Sequence, residues 1–222
     1  MLEELDAVFN SPTIKPSYEL AHVILALIIF GENDTGIGRY RLEKELSIGS
    51  GTAKSLVKRL SKPSKFITIL NDENKRRGHV LTEKGQKFLQ KIKSKIPLIE
   101  QGDLSLLKDI IIESQEVDPY FCLIKNAAKD ISSGIEQRDA AIKIGGTGAT
   151  CLSYDGKYFI FPQKLRSEKD EMMINERIQE YFKNKIQESN ASLNKDDIII
   201  IGLGLESNIA RLSALNAALT LI

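Results

Sequence analysis

The sequence predicts an α+β protein in two parts, and three observations carry that expectation. First, charge is divided: residues 1–97 hold 17 Lys+Arg against 11 Asp+Glu, a net of +6, whereas residues 98–222 hold 14 against 19, a net of −5. Second, apolar residues of the first part recur at helical spacing around one pair of short β-branched runs, while the second part alternates strand-like and helix-like runs. Third, Pro97 stops the last helix of the first part and marks a boundary, giving domains 1–97 and 98–222.

At 222 residues, either part is long enough to bury a core, and 42% hydrophobic with 27% charged residues is an ordinary globular composition. The longest apolar run, Val23–Phe30, is well short of the roughly 20 residues of a membrane span. The opening "MLEELDAVFN" lacks the basic stretch of a signal peptide, so no membrane partner is expected. Cys122 and Cys151 are too few for a disulfide framework, which suggests a reduced, cytoplasmic setting. His22 and His79 are the only histidines and no Cys/His cluster has zinc spacing, so neither a metal nor a cofactor is expected.

Taken in order, the first long helix should open at Pro16-Ser17 and run through "YELAHVILALIIF" to Gly31. A turn-rich "ENDTGIG" precedes a short helix with Leu42 and Leu46 four apart. "SIGSG" reads as a tight turn made by its glycines, with Ser50 capping the next helix. That helix, Gly51 to about Lys62, carries Ala53, Leu56, Val57 and Leu60 at i, i+3, i+4, i+7, one core-facing stripe. Ser55, Lys58 and Lys62 fall opposite, with Thr52, Lys54 and Arg59 on the flanks. A basic, hydroxylic outer face on a helix after a tight turn is the pattern of a helix-turn-helix recognition helix. The same glycines, Lys and Ser invite a phosphate-loop reading. It fails because Lys54 does not directly follow Gly51 and the lead-in "RYRLEKELS" is no buried strand.

"FITIL" and "HVLT" read as the strands of a hairpin whose tip carries Lys75, Arg76 and Arg77. Thr82 should cap a final helix with Phe88, Leu89, Ile92 and Ile96 on one face. Residues 38–97 hold 16 basic against 5 acidic residues, so the charge recurs on two elements that can straddle a groove. The bland alternative is a solvated basic surface.

The order helix, helix, turn, helix, hairpin, helix, with "GTAKSLVKRL" followed by "GHVLTEKGQKFL", resembles the winged helix-turn-helix of archaeal and bacterial transcription regulators over residues 15–97. The whole chain also resembles an uncharacterised archaeal family that joins such a domain to a C-terminal α/β domain. Double-stranded DNA is the expected partner. Thr52, Lys54, Ser55 and Lys58 are placed to reach base edges, and Arg39, Arg41, Arg59 and Lys62 to touch phosphates. Lys75, Arg76 and Arg77 would reach an adjoining groove or its backbone. The long apolar first helix and the stripe of the last read as core, with a share available to a homodimer interface.

In residues 98–222, "DLSLLKDIIIES" and "IEQRDAAIKI" are open to helix or strand, and "YFCLIKNAA" begins as a strand. "TGATCLSYDGKYFIFP" reads as a hairpin closed by a two-residue Asp155-Gly156 turn. A long helix, about Glu168 to Glu188, a buried strand "DDIIIIGLG" and a final helix follow. Two glycine-rich segments, "GGTGAT" and "GLGLESN", can offer backbone N–H groups to an anion. Together with Arg138 and Asp139 they make a candidate effector site of Gly145, Gly146, Gly148, Gly202, Gly204 and Ser207. The alternatives are turns or close packing for the glycines and a local ion pair for Arg138 and Asp139. Ser207 stands where a dinucleotide fingerprint needs glycine, so that site is not expected.

Asp196-Asp197 begin a strand and read as solvent-facing, and both cysteines read as small buried residues. No catalytic residues emerge, since no Ser/His/Asp set, metal cluster or paired carboxylate has mechanistic spacing. The leading expectation is a DNA-binding transcriptional regulator whose C-terminal domain senses a small molecule, dimerises, or both. The rivals are a small-molecule enzyme with a fused autoregulatory winged helix and a winged-helix protein-interaction module.

Overall fold

The computed structural model describes residues 2–10, 16–70, 78–111, 116–162 and 174–222. The chain divides into two compact units, Met1–Ile92 and Lys93–Ile222. Unit 1 opens with a 3-10 turn that runs into α1 (Asp6–Phe9), followed by α2 (Leu20–Gly31), α3 (Arg39–Glu45) and α4 (Ser50–Ser61). An antiparallel hairpin, β1 (Ile67–Ile69) and β2 (His79–Leu81), leads to α5 (Glu83–Lys95).

α2 starts at Leu20, four residues after the expected Pro16, because Glu19 and His22 form a reciprocal capping box. The His22 Nδ1 accepts the Glu19 N–H at 3.0 Å, and the Glu19 side chain accepts the N–H of His22. Two otherwise orphaned donors are thereby satisfied. Every residue from Ala21 to Phe30 is buried, so α2 keeps no apolar face for a partner. The α5 stripe is equally consumed: Phe88, Leu89 and Ile92 are buried, as is Ile96 just past its end. The expected dimer surface is therefore on neither helix.

Thr82 caps α5 as expected, accepting the Gly85 N–H at 3.1 Å. The hairpin gains a one-residue third partner, Ile37, which exchanges two 2.9 Å backbone hydrogen bonds with His79. Gly36 and Gly78 allow that approach: a Cβ on Gly78 would lie 2.5 Å from the Gly36 carbonyl carbon.

Unit 2 continues with β3 (Leu98–Gln101), α6 (Leu104–Leu107), β4 (Asp118–Ile124) and α7 (Ile135–Lys143). β5 (Gly148–Tyr154), β6 (Phe159–Ile160), α8 (Glu176–Glu188), β7 (Ile198–Gly204) and α9 (Ser207–Ala218) complete it. The five strands form one sheet in the order β3-β4-β7-β5-β6, and every neighbouring pair is antiparallel. The fold is α+β. The β5–β6 connection is a four-residue loop, Asp155 to Tyr158, in place of the expected two-residue turn. The Asp155 carboxylate accepts the N–H groups of Lys157 and Tyr158, each at 2.7 Å, and so holds a wider bend. α8 begins at Glu176 under an Asn175 cap; the expected residues 168–173 lie outside the described residues.

All seven residues of β7 are buried because both faces of the sheet are covered. Ile199, Ile201 and Leu203 join Phe121, Leu123 and Leu152 in a core closed by Ile178, Phe182 and Ile186 of α8. Gln179, buried on the same helix, bonds both the N–H and the C=O of Phe159 at 2.7 Å, which ties the edge strand β6 to α8. On the other face, α9 packs on β7 and β4, and α7 packs on α9 and β5. Among the described residues no helix is long and apolar enough to cross a membrane.

His22 and His79 both titrate below the usual histidine value, chiefly because burial disfavours the cation. The unfolded chain then takes up protons first as pH falls, so their contribution to stability is complete above about pH 6.5 and is lost below it. We expect the thermal midpoint of unit 1 to fall between about pH 6.5 and 5. His22→Gln, which keeps an acceptor for the Glu19 N–H, should flatten that slope in a pH series of melts.

Candidate functional site

The face of α4 is set by its core contacts. Ala53, Leu56, Val57 and Leu60 are buried, and burying a Leu or Val side chain contributes about 1.5–3 kcal/mol. A helix cap is worth about 1 kcal/mol, so packing decides the rotation of the helix. Lys54, Lys58 and Lys62, four apart, then project outward as one row. Among the described residues none of the three pairs with a carboxylate.

The turn before α4 is built differently from expectation. Ser47 (φ 50°) holds the left-handed position after α3, and its N–H and that of Ile48 return to Lys44 O and Glu43 O at 3.3 and 3.2 Å. This is a Schellman turn, normally completed by glycine. Gly49 is the extended N-cap of α4 and makes no side-chain bond, so Ser50 is the first helical residue and no cap. Among the described residues nothing beyond the neighbouring backbone lies within 4 Å of a Cβ built on Gly49 or Gly51, which leaves these two positions open.

The other expected DNA contacts separate into distinct environments. Thr52 shares a 2.9 Å hydroxyl bond with Ser17, and Ser55 is half-buried. Arg39 lies over the Tyr40 ring, 4.9 Å from its centroid, and Tyr40 is 69% exposed. Arg41 bonds Glu45 and donates to Asn33 Oδ1 at 2.7 Å. Arg59 departs from expectation: its guanidinium donates to the carbonyls of Val8 (3.2 Å) and Asn10 (2.7 Å) and closes the C-terminal end of α1. It serves the fold because α1 ends beside α4 with carbonyls unsatisfied within the helix. Lys75, Arg76 and Arg77 lie outside the described residues.

In unit 2 the two glycine segments do meet, since Gly148 pairs with Leu203 and Ala149 with Gly202 across β5 and β7. The space beside most of them is already filled. A Cβ on Gly202 would collide with the Ala214 nitrogen, and one on Gly204 would lie 2.6 Å from the Ala210 nitrogen, because α9 rides directly on β7. A Cβ on Gly146 would collide with Ser213 Oγ and lie 2.7 Å from Leu203 O. These three glycines have a packing reason. Gly145 needs its left-handed φ of 98°, and Gly148 has only the Arg138 Cγ nearby at 3.9 Å. Ser207 is the first residue of α9 and is half-buried.

Arg138 and Asp139 pair with each other on the open face of α7, with Nη2 to Oδ1 at 2.8 Å. Arg138 also lines a cleft of about 400 Å³ with Ile110, Ile135, Thr150, Cys151 and Phe161. Burial pushes the Cys151 thiol up to about 12 and the Cys122 thiol up as well, so both are protonated at neutral pH. Among the described residues no group of His, Cys, Asp and Glu could hold a metal ion.

Residues 118–221 match the family described as a domain of unknown function, DUF4443. The solved structure of the hypothetical protein PH0730 from Pyrococcus horikoshii OT3 is similar over 92% of this chain and 93% of its own, with a TM-score of 0.65 at 21% identity. No curated protein matches. The DUF4443 match and the archaeal neighbour fit the resemblance to an uncharacterised archaeal family, and at that identity the neighbour speaks for the fold.

Within the matched region, Asp197 does not face solvent as expected. Its carboxylate is 1% exposed and paired with Lys125. It also accepts the N–H groups of Asn126 at 2.9 Å and Asn194 at 2.8 Å. A carboxylate is tolerated there because every approach to it is a donor. The available signal was an acid directly ahead of a run apolar on both strand faces, "DIIII".

The two kinds of glycine separate by stability. Gly51→Ala should raise stability by about 0.5–1 kcal/mol, as expected for an open helical site. Gly202→Ala should lower it by about 1–3 kcal/mol through overpacking. Urea unfolding of both variants checks the pair of signs.

Proposed function

We propose that unit 1 is a winged helix-turn-helix that binds double-stranded DNA, and that the chain is a transcriptional regulator. The observation that carries this reading is the row Lys54, Lys58, Lys62. Three exposed lysines, outside the buried stripe of one helix, pair with no carboxylate among the described residues. Among the described residues no acidic side chain uses their charge, and a duplex supplies closely spaced phosphates for it.

In this reading α4 enters the major groove by its first two turns, where Thr52, Lys54, Ser55 and Lys58 reach base edges and neighbouring phosphates. The bare Gly49 and Gly51 let the DNA backbone come close to the N–H groups at the helix start. Lys62 and Arg39 hold phosphates, while Tyr40 offers an exposed ring beside them. Lys75, Arg76 and Arg77, which fall between β1 and β2 in the sequence, would extend the contact to an adjoining groove. Arg59 is left out, because its Nη1 already holds the carbonyls of Val8 and Asn10.

Unit 2 supplies regulation. A small molecule in the cleft beside Arg138, apolar along Ile110, Ile135 and Phe161, would bias DNA affinity through different affinities for two states of the chain.

The test is duplex binding as a function of salt. Lys54→Ala and Lys58→Ala should each weaken binding and flatten the slope of log affinity against log salt by about 0.9 where a phosphate contact is lost. Arg59→Ala should lower thermal stability and leave that slope unchanged. Equal slopes for all three variants and the parent chain would refute the interface.

A further inference from the structure

Two of the five large hydrophobic side chains exposed among the described residues lie on one short helix, α7: Ile135 at 54% and Ile142 at 49%. They are seven residues apart, two helical turns, and so share a face. Between them on that face stand Arg138 and Asp139, 53% and 60% exposed. The opposite face, with Gln137 and Ala141, is buried.

The order Ile, Arg, Asp, Ile is symmetric about the point between Arg138 and Asp139. When two copies of such a helix lie antiparallel across a two-fold axis at that point, Ile135 meets Ile142 of the other copy and Arg138 meets Asp139. The apolar ends match and the central charges are complementary, twice over. A two-fold interface requires this kind of self-complementary patch. The local Arg138–Asp139 pair gives up little, since exposed ion pairs contribute little to stability.

We infer that α7 is the centre of a homodimer interface, occupied by a second copy of this chain. The α2 and α5 stripes are consumed inside the chain, whereas this patch is not. A nine-residue helix is about 13.5 Å long. Its face alone falls short of the roughly 800 Å² per partner of a standard interface, so α7 sets the register while flanking surface completes the contact. Ile135 and Arg138 also line the cleft of about 400 Å³, so a molecule bound there and the partner copy would meet the same side chains. The inference stands apart from DNA binding and can be tested without DNA.

Sedimentation equilibrium of the full chain across a wide concentration range should show a monomer–dimer equilibrium. Arg138→Asp sets like charges face to face at two places and should weaken the dimer by about tenfold or more. Combining it with Asp139→Arg restores complementarity and should restore the dimer. A chain monomeric throughout, or a dimer indifferent to the single reversal, overturns the inference. A second variant is independent of charge: Ile135→Cys with Ile142→Cys. The two positions are about 10.5 Å apart along one helix, too far for a disulfide within a chain. Cys122 and Cys151 are buried. Oxidation should yield a covalent dimer on a non-reducing gel, and its absence in a folded variant counts against the interface.

Discussion

A helix buried along ten successive residues, Ala21–Phe30, must be surrounded before unit 1 can be stable, and that requirement shapes the other elements. They need only one apolar side each, and they have it. α4 buries Ala53, Leu56, Val57 and Leu60, and α5 buries Phe88, Leu89 and Ile92. The sign of the outer surface follows from what remains on each helix once its apolar stripe is committed. On α4 the remainder is a row of lysines. The proposed interface is thus a by-product of core packing, with several kcal/mol of apolar burial holding charges in place that contribute little to folding themselves.

Unit 2 obeys a different constraint. Its central strand β7 is covered on both faces, and α9 approaches so closely that Gly202 and Gly204 can carry no side chain. Directly ahead of the strand stands an acid drawn inside, Asp197, which is held by Lys125 and two backbone donors. Removing one partner of such a buried pair costs far more than the pair contributes. Gly146, Gly202 and Gly204, which look like ligand chemistry in the sequence, have a packing role here.

Periodicity made the stripes of α4 and α5 and the hairpin legible in the sequence, because burial of one face leaves a regular trace, and Thr82 marked the start of α5. Features that depend on contacts between distant residues left no such trace. Nothing near Arg59 announces that its donors reach Val8 and Asn10, about fifty positions away. Ser47 took the left-handed turn position although two glycines stand within four residues of it. Local bonding to Lys44 and Glu43 selected the site and composition did not. The glycines of "GLGLESN" fit an anion loop and a tight helix contact equally in sequence, and only the position of α9 separates the two. Of the candidate DNA face, the lysine row was readable from helical geometry. The engagement of Arg41 by Glu45 and Asn33 was not.

The central claim is that the outer face of α4 meets duplex DNA, and backbone amide chemical shifts observed by NMR during titration with a short duplex test it most directly. The account predicts that amides from Gly49 to Lys58 shift progressively at low salt, while those of the β7 strand stay in place. Binding that leaves the α4 amides unmoved, or no binding at low salt, would contradict it.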